Sequence, residues 1–149
     1  METPFKALML LVIDPNVVIS AVLSGGLNAE IFETNFKEEK YDFIAPEFFN
    51  IELGNHTLKI ANRTRLSFDE ARRVLEFIVR QIRFIPLKDY ETRLDEARQV
   101  LKSHEKDVPY LALALAFGCK ILSGDRVLKK IVPDKIITPR ELLDMFQSP

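Results

Sequence analysis

The segment "ALMLLVI", residues 7–13, limits the possible folds more than any other part of the sequence. It is short and continuously apolar, and Asp14 follows it at once. A strand with one solvent-exposed face has polar residues at every second position, whereas a strand covered on both faces does not. The segment therefore predicts a central strand of a parallel sheet that has helices packed on both sides.

The rest of the chain alternates such short apolar runs with longer helical patterns. The clearest helical pattern begins at Ser67 with Glu70 three residues later, which is the spacing of a capping box. This alternation predicts a doubly wound α/β fold with right-handed crossovers, and we expect residues 1–149 to form a single domain because no linker divides them. Further strands are predicted at 41–45, 82–87, 120–124 and 135–138, and helices at 46–62, 67–82, 89–103, 108–117 and 139–146.

The composition disfavours several classes of protein. The net charge is −1, so no overall positive field indicates nucleic-acid binding, although a local basic patch would be sufficient. The single cysteine, Cys119, excludes an internal disulfide and a cysteine-based zinc site. Neither GxGxxG nor GxxxxGK is present, which disfavours a nucleotide cofactor. The apolar N-terminal run is too short to span a membrane and lacks a signal-peptide cleavage site, so we expect a cytoplasmic protein.

Acidic residues stand where the predicted strands end, and parallel sheets form their functional sites at that edge. Asp14 follows the first strand, and Asp125 follows the strand at 120–124. Asp107 precedes the helix at 108–117, which is about 15 Å long, and the next strand returns about the same distance. We therefore expect Asp107 and Asp125 to lie at one edge of the sheet beside Asp14.

The helix at 46–62 adds an acidic residue to this edge, either Glu47 or Glu52. We favour Glu52, because Glu47 at the helix start has the simpler role of complementing the helix dipole. Converging carboxylates cannot all stay ionised unless a cation lies among them, and oxygen ligands favour Mg²⁺ or Mn²⁺. Such an ion activates water and stabilises a phosphodiester under attack, so the predicted chemistry is phosphodiester hydrolysis.

Three segments hold the acidic residues of this edge: "VIDPNVVISAVLSGG", "FFNIEL" and "KDVPYLALALAFGCKILSGD". They resemble the PIN-domain ribonucleases, a family that includes the VapC toxins of toxin–antitoxin pairs, and the resemblance extends over about residues 10–130. It implies a three-layer α/β/α sandwich with a central parallel twisted sheet, and cleavage of RNA with Mg²⁺ or Mn²⁺. It also implies an antitoxin protein as a partner and a homodimer or a higher oligomer.

The same resemblance assigns roles to individual residues. The metal-binding and catalytic set is Asp14, Glu52, Asp107 and Asp125, supported by Asn16, which orients the set, and by Ser123, the hydroxyl residue two positions before the last aspartate. The chain departs from many relatives after Asp125, where Arg126 replaces a further acid. Whether one or two metal ions bind therefore stays open. The residues expected to contact RNA phosphates are Arg126, Lys129 and Lys130.

Each aspartate also has an ordinary structural interpretation. Asp107 stands at an N-cap position, and Asp14 and Asp125 stand where turns are common. Two other functions remain open: a PIN-like scaffold or RNA-binding module in RNA processing, with weak or no catalysis, and a phosphotransfer domain that uses an aspartate at the end of the third strand. For the latter, the sequence offers only Asp89.

Overall fold

A computed structural model describes residues 8–147, and within them the side chains of all residues except 55–58 and 61. The five predicted strands are present and all pair in parallel. Residue 7, the first of the predicted strand at 7–13, lies outside the described residues. The strands are β1 (Met9–Ile13), β2 (Tyr41–Pro46), β3 (Ile82–Ile85), β4 (Lys120–Leu122) and β5 (Ile136–Ile137).

The order of the strands in the sheet is β3-β2-β1-β4-β5. The chain builds outward from β1 to β3 on one side, and then crosses back to place β4 and β5 on the other side of β1. The point between β1 and β4 is therefore the switch point of the sheet, where a crevice opens at the carboxyl ends of the strands. Asp14 and Ser123 follow these two strands.

Alternate strand residues contribute to two separate hydrophobic cores, one on each face of the sheet. Ile13, Phe43 and Leu122 pack into the first core, and Val12, Ile44 and Ile121 pack into the second. The sheet is thus covered on both faces, which confirms the predicted α/β/α sandwich. The first core is covered by α1 (Pro15–Ser24), α2 (Gly26–Glu38), α3 (Glu47–Asn62), α4 (Phe68–Val79) and α8 (Pro139–Gln147), and the second by α5 (Leu94–Leu101), α6 (Val108–Phe117) and α7 (Arg126–Ile131).

Helix α6 is buried along most of its length. Six of its ten residues, Val108 and the five consecutive residues 110–114, are buried. It begins directly after Asp107, and it ends at Gly118, whose φ of 62° places it in the left-handed region that glycine adopts without steric cost. The helix has the bounds that the sequence predicts, so its length sets the separation between Asp107 and the following strand.

Helix α4 also begins as predicted. Ser67 Oγ accepts a hydrogen bond from the backbone of Glu70 at 3.1 Å, and the Glu70 carboxylate accepts one from the backbone of Ser67 at 3.2 Å. These two reciprocal bonds form the predicted capping box.

The helix predicted at 89–103 is shorter than expected. Two 3₁₀ turns, Leu87–Asp89 and Glu91–Arg93, precede α5, which begins only at Leu94. Between these turns Tyr90 is buried and has a φ of −137°, a value outside the α-helical range. The burial of the Tyr90 ring in the second core therefore accompanies the interruption of the helix.

Across residues 8–147, no single helix is both long enough and apolar enough to cross a bilayer. Helices α1 and α2 reach that length and apolar character only when they are taken together, and a bend of 104° separates them.

Asn35 is a buried polar residue that joins α2 to the start of β2. Its Nδ2 donates to the carbonyl of Tyr41 at 3.0 Å, and its Oδ1 accepts from the backbone N–H of Tyr41 at 2.9 Å. Replacement by alanine leaves both buried backbone groups of Tyr41 without these partners.

We expect Asn35→Ala to lower the free energy of unfolding by about 2–4 kcal/mol, because two buried hydrogen bonds are lost. Chemical denaturation measures this change. The control is Asn50→Ala on the exposed face of α3, which we expect to change the stability by less than about 0.5 kcal/mol. Equal effects of the two substitutions would contradict this role of Asn35.

Candidate functional site

The four predicted acidic residues line one cavity, of about 650 Å³, at the carboxyl edge of the sheet. It opens at the switch point between β1 and β4. Carboxylates dominate its polar surface. The lining includes Asp14, Glu52, Asp107 and Asp125, together with Asn16, Phe48, Glu105, Lys106, Pro109 and Tyr110.

Asp14 is the most buried of these carboxylates, with 7% of its surface exposed. It follows β1 directly and caps α1, because its Oδ1 accepts a hydrogen bond from the backbone of Asn16 at 3.0 Å. Its Oδ2 accepts a second hydrogen bond from the Ser123 hydroxyl at 2.6 Å. Both carboxylate oxygens are therefore held in place, and Asn16 contributes its backbone N–H to this arrangement.

Ser123 connects the ends of β1 and β4. Its side chain is fully buried; its Oγ donates to Asp14 and accepts from the backbone N–H of Asp125 at 3.1 Å. Asp125 in turn caps α7, since its Oδ1 accepts from the backbones of Val127 at 2.8 Å and Leu128 at 3.1 Å. A chain of hydrogen bonds thus connects two of the predicted metal-binding aspartates through one hydroxyl.

Asp107 differs from the other two aspartates. It ends a 3₁₀ turn with φ −88° and ψ −11°, and its carboxylate makes no capping hydrogen bond to α6. The ordinary interpretation of Asp107 as an N-cap therefore does not account for its side chain. It is half-buried in the wall of the acidic cavity.

The two glutamates of α3 lie in different places. Glu52 lines the acidic cavity, whereas Glu47 lines a neighbouring apolar groove of about 460 Å³ with Ile51, Leu87 and Tyr90. Glu52 is itself exposed to solvent. Of the two candidates that the sequence left open, only Glu52 lies beside Asp14.

The aspartates of the cavity affect one another electrostatically. Burial raises the pKa of Asp14 above its ordinary value, and the charge of Asp125 adds to this effect. Burial also raises the pKa of Asp107, and the charges of Asp14 and Asp125 raise it further. The cavity therefore disfavours the charged form of these two aspartates, which is the electrostatic property of a site that accepts a cation.

The donor set of the cavity fits a hard divalent cation. Its ligand-type side chains are carboxylates, without histidine or cysteine, which is the oxygen chemistry of Mg²⁺ or Mn²⁺. As the side chains stand, however, no three Asp, Glu, His or Cys residues in the described part of the chain are close enough to hold an ion. Binding an ion between Asp14, Glu52, Asp107 and Asp125 thus requires side-chain rotation, and the exposed Glu52 has the greatest freedom to rotate.

The three basic residues expected near the site are in different situations. Arg126 is exposed and lines a second cavity, of about 630 Å³, which shares Asn16 and Asp125 with the acidic one. Lys130 is exposed, whereas Lys129 is engaged within the fold, where its Nζ donates to the carbonyl of Ile136 at 3.0 Å and to Glu141 Oε1 at 3.1 Å.

Sequence reasoning missed several residues at these cavities, among them Glu105, Arg140 and Tyr110. Glu105 is a further carboxylate at the acidic cavity, but it pairs with Arg98 at 3.3 Å. Arg140, in the first turn of α8, lines the second cavity together with Arg126. Tyr110 lines the acidic cavity, although its place in an apolar helix suggests only a core residue. Burial raises the pKa of its hydroxyl far above the ordinary value, and the charges of Glu52 and Asp14 raise it further.

Asp89, the residue a phosphotransfer domain would require, is exposed and does not line the acidic cavity.

Comparison with known proteins agrees with this fold. PAE2754 from Pyrobaculum aerophilum, whose crystal structure is known, superposes with a TM-score of 0.67 at 22% sequence identity, over 97% of this chain and 100% of that chain. This similarity shows a shared fold. A search of curated proteins finds no match.

The family comparison extends over most of the chain. Residues 12–133 match the family model of the PIN domain, and this span includes all four carboxylates of the acidic cavity. PIN-domain proteins are generally nucleases that use divalent metal ions. The chain belongs to the PIN-domain family.

Proposed function

We propose that this protein is an endoribonuclease that hydrolyses RNA phosphodiester bonds with Mg²⁺ or Mn²⁺. The observation that carries the proposal is the convergence of Asp14, Glu52, Asp107 and Asp125 on one cavity at the switch point of the sheet. These residues come from four separate elements, so their shared position is a property of the fold. Asp14 and Asp125 also cap helices, but helix caps do not require a common cavity, and the Asp107 carboxylate caps none.

The residues of the chain have distinct parts in this reaction. A divalent ion held by Asp14, Glu52, Asp107 and Asp125 would lower the pKa of water and offset the charge on the phosphate under attack. Asp14 offers a carboxylate whose orientation is fixed from both sides by Asn16 and Ser123. Asp107 offers one that no capping bond engages. Phe48, Pro109 and Tyr110 add aromatic and apolar surface to the wall of the cavity that these groups share.

A path for the RNA strand leads from the acidic cavity into the second one. The two cavities meet at Asn16 and Asp125, and the second contains Arg126 and Arg140. Neither arginine forms an ion pair with a described residue, so both guanidinium groups are available to phosphate. Lys130 is exposed nearby, and the internal bonds of Lys129 make it the least suitable of the three predicted phosphate contacts.

The biological setting that we propose is that of a cytoplasmic toxin with an antitoxin partner. The support is the similarity of the three motifs to the PIN-domain ribonucleases, which include the VapC toxins, together with the family membership. Exposed apolar side chains on α3 and after β3, including Ile51 and Leu87, provide surface for a homodimer or a higher oligomer. A neighbouring reading frame that encodes a small protein with a DNA-binding N-terminal segment would support the existence of an antitoxin.

A second candidate is a PIN-like scaffold or RNA-binding module in RNA processing. Two observations favour it: Arg126 stands where many relatives carry an acid, and no three ligand-type side chains of the described residues are already grouped around one point. Calorimetric titration with Mn²⁺ separates the two functions. A folded protein that binds no Mn²⁺ at millimolar concentration would favour the scaffold.

We expect Asp14→Asn and Asp125→Asn each to lower the rate of RNA cleavage by about 100-fold or more, because each removes a charged ligand from a site that stabilises the transition state by several kcal/mol. The measurement is the initial rate on a panel of RNAs, with and without EDTA. EDTA should abolish cleavage by the wild type.

The matched control for this experiment is Asp134→Asn. Asp134 is an exposed aspartate in a 3₁₀ turn, and it does not line the acidic cavity. We expect the Asp134→Asn variant to cleave RNA at the wild-type rate. Unchanged cleavage by the Asp14 and Asp125 variants would show that the proposed site is wrong.

Asp14→Asn should also raise the stability of the metal-free protein at neutral pH. The folded-state pKa of Asp14 is raised, so its contribution to stability is present at low pH and is lost as the pH rises through that pKa. Asparagine removes the buried charge, and its amide can still accept from the Asn16 backbone and donate to Ser123.

Thermal unfolding in EDTA tests this expectation. The melting temperature of Asp14→Asn should exceed that of the wild type at pH 7, and the difference should vanish near the ordinary aspartate pKa of 3.8. Addition of Mg²⁺ should then stabilise the wild type more than the variant. A variant that is less stable than the wild type at pH 7 would contradict this account.

We expect Arg126→Ala and Arg140→Ala to weaken the binding of single-stranded RNA in EDTA. Each substitution should reduce the slope of log affinity against log salt concentration by about 0.7, the value for one phosphate contact on a single strand. Fluorescence anisotropy measures both quantities. Lys37→Ala, at the exposed C-terminal end of α2, is the control and should leave the slope unchanged.

A further inference from the structure

Tyr110 has a buried hydroxyl that the fold itself does not explain. The residue is 5% exposed, and its Oη has no hydrogen-bond partner among the described residues. Nearly all buried hydroxyls in folded proteins have a partner, so each exception requires an explanation. A phenylalanine would fill the same place in α6 without burying an unpaired polar group.

The position of the Tyr110 ring is well defined. It makes edge-to-face contacts with Phe48 at 6.0 Å between ring centroids and with Phe49 at 6.4 Å. Both phenylalanines belong to the first turn of α3, and Tyr110 belongs to α6. These contacts fix the ring of a residue that lines the acidic cavity, while its hydroxyl is buried beside that cavity.

Glu52 is the acceptor best suited to this hydroxyl. It lies on α3 one turn after Phe48, lines the same cavity and makes no hydrogen bond or ion pair within the described structure. Asp14 already accepts two hydrogen bonds, and Asp125 accepts two from the first turn of α7. Asp107 makes no capping bond and lines the same cavity, but its charge acts on Tyr110 less strongly than that of Glu52 does. Of the acidic residues near Tyr110, Glu52 exerts the strongest electrostatic effect on it.

We propose that Tyr110 is a positioning residue for Glu52. The Glu52 side chain turns from solvent into the acidic cavity, and its carboxylate accepts a hydrogen bond from Tyr110 Oη. This bond pairs the buried hydroxyl and holds a fourth carboxylate beside Asp14 and Asp107. The inference rests on the proposed function, because the rotation of Glu52 completes the ligand set for a divalent ion.

The rotation has a clear electrostatic cause. Without a cation, the charges of Asp14, Asp107 and Asp125 oppose the entry of another carboxylate, so Glu52 remains exposed. A divalent ion reverses this balance, and the hydrogen bond from Tyr110 then selects one orientation of a long, flexible side chain. Tyr110 therefore acts on the affinity for the ion through Glu52.

The test is a double-mutant cycle on Mn²⁺ affinity, measured by calorimetry with Tyr110→Phe, Glu52→Gln and the double variant. We expect Tyr110→Phe to weaken Mn²⁺ binding about 10-fold, at the lower end of the range found for groups that orient metal ligands. Adding Tyr110→Phe to Glu52→Gln should cause little further loss of Mn²⁺ affinity, because the interaction between Tyr110 and Glu52 is then already absent. Tyr90→Phe is the control: Tyr90 is a buried tyrosine that does not line the acidic cavity, and it should bind Mn²⁺ as the wild type does.

A second readout separates positioning from packing. The chain has three tyrosines and no tryptophan, so its near-ultraviolet absorbance reports on tyrosine. Mn²⁺ should produce a tyrosine difference spectrum in the wild type and in Tyr90→Phe, and none in Tyr110→Phe. The metal-free Tyr110→Phe protein should melt at the wild-type temperature or above it, since no protein hydrogen bond is lost.

The outcomes distinguish this inference from the proposed function. If the wild type binds no Mn²⁺, the proposed metal site is wrong, and the role of Tyr110 is wrong with it. If the wild type binds Mn²⁺ and Tyr110→Phe binds it equally well, only the role of Tyr110 is overturned. Fully additive losses in the double variant would likewise overturn it.

Discussion

The hydrogen bond from the Ser123 hydroxyl to Asp14 determines how the cavity is built. It joins residues 109 positions apart in the sequence, and at 2.6 Å it is short, as expected for a hydroxyl that donates to a carboxylate. Because Ser123 also accepts from the backbone of Asp125, one buried side chain sets the relative position of two acidic residues. The parallel pairing of β1 with β4 brings these groups together.

The cavity has electrostatic costs that the surrounding structure must offset. Two of its aspartates have raised pKa values because they are buried near one another. Hydrogen bonds from Asn16 and Ser123 lower the pKa of Asp14 and so oppose this effect without removing it. The extensive packing of α6 and of the central strands supplies the apolar burial that maintains the arrangement. Functional sites are commonly less stable than the fold that carries them.

Much of this architecture could be predicted from the sequence, because strong local patterns determine it. The apolar strands, the capping box at Ser67 and the bounds of α6 depend on residues close together in the chain. The order β3-β2-β1-β4-β5 could not be predicted, since the rules for crossovers permit several orders. The pairing of Asn35 with Tyr41, the interruption before α5 and the unpaired Tyr110 hydroxyl depend on tertiary contacts that no local pattern records. The choice between Glu47 and Glu52 was likewise unresolved, because it depends on which side of α3 faces the cavity.

The central position of β1 has a consequence for the synthesis of the protein. The first acidic residue of the cavity is translated early, but its hydroxyl partner and the last aspartate lie more than 100 residues later, directly after β4. Domains generally fold as units as the chain leaves the ribosome. An unfinished chain that lacks β4 therefore cannot assemble the cavity, however well its early helices form. The acidic cavity is thereby completed only after β4 and the residues that follow it have been translated.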